Sequence, residues 1–213
     1  MDMRIERVLE SAKPFYNNGD PSHDFSHIHR VLHTCRVLGK SEDADLNILL
    51  PAAILHDIVN VPKNSDKRSK ASELAAEKAS KILKSCDYSD DEVDKIYNVI
   101  LEHSFSLGKK PSSIESAILQ DADKLDALGA IGIMRMVTCG TRMGASYYHE
   151  ADPFAQSREL DDKTYSLDHF ERKLFKLPEM MNTESARIEA NKRRDVMKTF
   201  LQSLQDEIYS SNK

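Results

Sequence analysis

The chain has 213 residues, 40% apolar and 31% charged, which excludes a disordered or fibrous protein and suits one soluble globular domain over 1–213. Its 30 basic and 35 acidic residues give a formal charge of −5, which argues against nucleic-acid binding, because that draws its affinity from clustered Lys and Arg. Cys35, Cys86 and Cys139 stand far apart with no CxxC pair, which argues against a disulfide framework or thiolate zinc site and for a cytoplasmic location.

The amino-terminal MDMRIERVLE is charged and lacks the apolar run of a signal peptide. Ile28, Val31, Leu32, Cys35 and Leu38 then fall on one stripe of an amphipathic helix. From Ala44 to Ile58 the chain is apolar nearly all round, the pattern of a central buried helix, with Pro51 expected to kink it. Its apolar core, Leu46 to Leu55, is far shorter than the roughly 20 residues a membrane span needs. Ala71 to Leu83 and Val93 to Leu101 are further amphipathic segments. Another helix is predicted to begin at Ile114 and run through Leu128 to Val137. Thr183 to Ile208 reads as a long charged helix whose exposed surface permits a homodimer. Two loops are predicted, 60–69 and about 138–164. No stretch has the alternation of a strand, so the fold class is all-α.

Histidines and aspartates gather at three places. His23, Asp24, His27, His29 and His33 crowd the start of the first core helix, His56 and Asp57 close the central one, and Asp121, Asp123 and Asp126 lie in QDADKLDALGA. Asp24 has an ordinary use as a helix cap, and His29, His33 and Asp126 as solvated groups. His56 and Asp57 are different: they end a segment otherwise fit for full burial, and buried ionisable groups pair or bind a metal. His27 borders the apolar stripe through Val31, one turn on. Asp121 and Asp123 each share a helical face with apolar neighbours, and periodicity does not choose between them. Mixed imidazole and carboxylate donors suit Mn²⁺, Mg²⁺, Co²⁺, Fe²⁺ or Zn²⁺. Two of each would leave coordination positions for water and a substrate oxygen.

Taken together, HDFSHIHRV, AAILHDIV and QDADKLDALGAIGIMR resemble the successive signatures of the HD-domain metal-dependent phosphohydrolases. The resemblance covers about residues 20–137. Later segments, YYHEADPF, LDDKTYSLDHF and KLFKL, resemble the small bacterial members, so 138–213 is expected to add a loop and C-terminal helices to an HD-type helical bundle. The family pattern H…HD…D implies metal ligands at His27, His56, Asp57 and Asp123, with Asp121 as the fallback for the last. In the mechanism expected here, Asp57 is both ligand and proton acceptor for the attacking water.

Around that set, Arg30, Lys63, Lys67, Arg68 and Lys124 are candidates to hold phosphate oxygens. His103 is a candidate general acid or hydrogen-bond donor to phosphate, with capping or packing as its structural alternative. Tyr147 and Tyr148 read more readily as core than as a platform for a nucleobase. The expected activity is hydrolysis of a small phosphorylated substrate, a nucleotide first, with nucleoside triphosphate pyrophosphohydrolysis ahead of phosphomonoester cleavage. The competitors are cyclic-nucleotide or guanosine-alarmone hydrolysis, and a metal-binding regulator without catalysis.

Overall fold

Three helices in the first part of the chain are started by side chains that cap them, Asp24, Asp45 and Ser89. The computed structural model describes residues 3–16, 24–59, 61, 70–104 and 108–210. They form two compact units, Met1–Asp123 and Lys124–Lys213.

In the first unit, α1 (Met3–Ala12) buries Ile5, Val8 and Ala12, and a 3₁₀ turn, Lys13–Tyr16, follows it. The sequence reading took this end only as the absence of a signal peptide; it is an amphipathic helix. Asp24 caps α2 (Phe25–Ser41), its side chain accepting from the His27 N–H at 2.9 Å. Asp45 caps α3 (Leu46–Leu55) through the Asn47 N–H, also at 2.9 Å. Ser89 and Glu92 form a reciprocal capping box at the start of α5 (Asp90–Glu102). Caps of this kind contribute about 0.5–2 kcal/mol each. Burial follows the hydrophobic pattern: Ile28, Val31, Leu32, Cys35 and Leu38 of α2 all face inward. Every residue from Ile48 to Leu55 is buried, as a helix without a polar face requires. Helix α3 is accordingly central, in contact with α1, α2, α5 and α4 (Ala71–Ser85). Its C-terminal end carries His56 and Asp57 into this interior.

The helix expected from Ile114 through Val137 is in fact two, α6 (Ile114–Leu125) and α7 (Gly129–Arg142). Between them Leu128 is extended and Gly129 has φ +72°, a left-handed conformation that L side chains resist. The break lets the chain fold tightly on itself, since a Cβ at Gly132 would run into the Ala127 carbonyl. Arg193 then adds a bond of 2.8 Å to the Leu125 carbonyl, which also accepts from the Leu128 N–H at 3.1 Å.

Helix α7 reaches Arg142, so the second loop begins later than expected. Thr138 and Thr141 lie within the helix, their hydroxyls donating to the Met134 and Val137 carbonyls. In the rest of the second unit, α8 (Asp168–Arg172) leads into a 3₁₀ segment, Leu174–Met180, and then α9 (Glu184–Ser210). The intervening stretch is built of turns and held by an ion pair on the buried Asp168. Arg158 reaches Asp168 with two bonds of 2.6 and 2.7 Å, and Asp168 also accepts from the Asp161 N–H. Among the described residues the sole β-type pairing is an isolated bridge between Ser146 and Tyr165.

Candidate metal centre

Four side chains from three separate parts of the sequence meet inside the first unit. His27 comes from α2, His56 and Asp57 from the end of α3, and Asp123 from the end of α6. His27 Nε2 lies 3.8 Å from Asp57 Oδ2 and 3.6 Å from Asp123 Oδ1. His56 Nε2 lies 3.6 Å from Asp57 Oδ2. One donor atom each from His27, His56 and Asp57 falls within 4.8 Å of the others. Protein donors hold an ion such as Zn²⁺ at about 2.0–2.2 Å, which places neighbouring donors roughly 3–4 Å apart. The observed spacings match.

The chemistry of the donors fits a cation as well as their spacing does. His56 Nδ1 faces the Ala53 carbonyl at 2.8 Å, and a carbonyl only accepts, so Nδ1 carries the proton. Nε2 is left with its lone pair, buried, and with no hydrogen-bond partner among the described residues. Burial pushes the His56 pKa down; Asp57 opposes this, while His103 and His27 add to it. The ring is therefore held neutral, the form in which imidazole ligates. Both rings are sealed from water, whereas the Asp57 and Asp123 side chains stay 28% and 31% exposed, so the cluster opens on its carboxylate side.

His103 joins the group from the end of α5. Its Nδ1 is 2.6 Å from the Ile100 carbonyl and its Nε2 3.5 Å from Asp57 Oδ1. Burial works against its charge, but the hydrogen bond to Asp57 and the Asp57 charge outweigh that and raise its pKa. The two Asp57 oxygens thus divide their roles: Oδ2 faces the two imidazoles of His27 and His56, and Oδ1 faces His103.

Sequence reasoning missed Tyr16. Its hydroxyl donates to the Ile54 carbonyl at 2.5 Å, two residues before His56, and its ring sits near Phe25. Burial first, then the Asp57 charge, raise its pKa well above the usual phenol value. No local motif announces such a contact; the one available signal was the amphipathic run leading into KPFY. Cys35 is buried, and its pKa is raised by burial and then by the Asp123 and Asp121 charges, so it is an inert thiol.

The other expected residues are distributed differently. Arg30 is half-buried on α2. Lys63, Lys67 and Arg68 lie outside the described residues, as does His23. Lys124 is buried and donates to the Met180 carbonyl at 3.1 Å, a structural use that its reading as a phosphate ligand did not foresee. His29 and His33 are exposed, as solvated groups would be. Asp126 is not solvated: it is buried and paired with Arg135. Tyr147 is 65% exposed rather than core, because it stands on the turn-built segment.

Comparison with known proteins agrees with this geometry. Residues 24–128 match the HD domain, a span that contains all four clustered ligand candidates. The Bacillus subtilis (strain 168) protein YpgQ is 33% identical over 209 residues, covering 96% of this chain and 94% of the relative. The chain belongs to the HD-domain family. A crystal structure of Bacillus subtilis YpgQ in complex with ADP superposes on it with a TM-score of 0.77, at 28% identity over 97% of this chain and 96% of the other. A second HD-family structure, an HD-superfamily hydrolase from Bacillus thuringiensis, gives a TM-score of 0.75 at 30% identity, covering 96% of each chain. These likenesses support a hydrolase with a helical HD domain, and among the described residues no helix is long and apolar enough to cross a membrane.

Proposed function

We propose that this HD-domain protein is a divalent-metal-dependent phosphohydrolase acting on a nucleotide. Cleavage of a nucleoside triphosphate to pyrophosphate is its leading reaction, and phosphomonoester cleavage the next. The observation that carries the reading is the convergence of His27, His56, Asp57 and Asp123 at separations of 3.6 to 3.8 Å. The ADP complex of the relative YpgQ supports a nucleotide as the ligand class.

In this reading those four residues hold the cation. When bound, a divalent ion supplies Lewis acidity toward water and phosphoryl oxygens. The remaining work is done by the chain. Asp57 accepts a proton from the attacking water as the new P–O bond forms and the bond to the leaving group breaks. His103, 3.5 Å from Asp57 Oδ1, keeps that carboxylate oriented and within reach of proton exchange. Arg30, half-buried on the same helix as His27, offers a fork to phosphate oxygens. Lys63 and Arg68 remain assigned to phosphate by sequence alone.

The test is product analysis with Mn²⁺ or Mg²⁺ on a panel of nucleoside tri-, di- and monophosphates, cyclic nucleotides and guanosine alarmones. Pyrophosphate released from a triphosphate, abolished by chelation and by His56→Ala, is the expected result. Turnover by a folded His56→Ala variant at the wild-type rate would defeat the assignment. Exclusive cleavage of a cyclic or alarmone substrate would move the protein to the competing hydrolase class.

A further inference from the structure

The second unit contains a cavity of about 420 Å³, within the range of about 300–1,000 Å³ that small-molecule sites occupy. One wall is a single face of α9, where Arg194, Lys198 and Gln202 follow one another at one-turn spacing and Leu201 and Gln205 fill in beside them. Phe154 from the turn-built segment and Phe175 from the 3₁₀ segment line the cavity as well. Glu171 of α8 also lines it, so two cations stand against one carboxylate.

One atom in this wall lacks what folded proteins nearly always supply. Arg194 Nε is buried without a hydrogen-bond partner among the described residues. Buried donors are rarely left so, and this one belongs to a side chain that lines the cavity. A guanidinium fork with an ammonium one turn away suits phosphate or carboxylate oxygens. Two phenylalanine rings suit a flat apolar body, and two side-chain amides can satisfy its polar edge. We propose that this cavity binds a small organic anion in which a phosphate or carboxylate is joined to a flat ring. The proposal is independent of the metal cluster and of the reaction assigned to it.

The chain has no tryptophan, so Phe154→Trp places a single indole in the cavity wall of the full-length protein. Its fluorescence would be titrated, without divalent metal, with AMP, benzoate and inorganic phosphate. A saturable response to AMP or benzoate is expected, AMP alone marking a phosphate site and benzoate alone a carboxylate site. Adding Arg194→Ala and Lys198→Ala should weaken it by about tenfold or more, as loss of charge-assisted hydrogen bonds does. Should that double change disturb folding, Lys198→Ala alone, at an exposed position, should still weaken it several-fold. Glu171→Gln should tighten it. Absence of a saturable response to both ring-bearing probes would overturn the proposal. So would a response indifferent to the loss of both cations, or inorganic phosphate binding as tightly as AMP.

Discussion

His27 Nε2 on α2 stands 3.6 Å from Asp123 Oδ1 on α6. No feature of local sequence brings these two together; the packing of the first unit does. The contact gives Asp123, of the two aspartates in QDADKL, a position facing the cluster. Calorimetric titration with Mn²⁺ should therefore show Asp123→Asn binding at least about tenfold more weakly than wild type, since even residues that merely orient metal ligands cost that much. Asp121→Asn should lose less. The reverse order would transfer the fourth position to Asp121.

Tyr16 tests how the end of α3 is kept in place. Tyr16→Phe deletes a hydroxyl whose bond to the Ile54 carbonyl measures 2.5 Å and leaves that carbonyl buried. A cost of about 1–3 kcal/mol is expected in urea unfolding. Weaker Mn²⁺ affinity should accompany it, because His56 and Asp57 come two and three residues after Ile54. Unchanged stability and affinity would show that the hydroxyl supports nothing.

Acid stability offers a separate check in the second unit. Backbone N–H groups of Ser157 and Gln156 hold the Asp152 carboxyl at a pKa of about 2, burial opposing them and the Ser157 hydroxyl and Arg158 assisting. Unfolded, the group titrates near ~3.9. A depressed native pKa contributes stability that is fully present above the unfolded value and is lost as pH falls through the folded one. The stability gap between wild type and Asp152→Ala should thus be constant above about pH 5 and shrink between about pH 4 and pH 2. Denaturant midpoints measured across that range decide it; a constant gap would refute the assignment.

What the sequence reveals and what it hides differ by range of interaction. The buried stripe of α2 and the apolar α3 are legible because burial repeats with the helical period, and every stripe residue from Ile28 to Leu38 is inside. The His56–Asp57 pair is legible because charge at the end of such a helix is conspicuous. The break at Leu128–Gly129 is not, since apolar spacing continues through it and one glycine's positive φ decides the matter. Asp121 and Asp123 are indistinguishable by period because both have apolar company one turn away; separation depends on where α2 lies. Tyr16, and the partners of Lys124 and Asp126, depend on tertiary contacts that leave no local trace.

The central claim is that His27, His56, Asp57 and Asp123 close on one divalent cation. Elemental analysis of protein purified without chelators, after equilibration with Mn²⁺, measures this without reference to any substrate. One tightly held equivalent per chain, absent from a folded His56→Ala variant, is the predicted result. Wild-type protein that retains no metal, or a variant that retains as much, would contradict it.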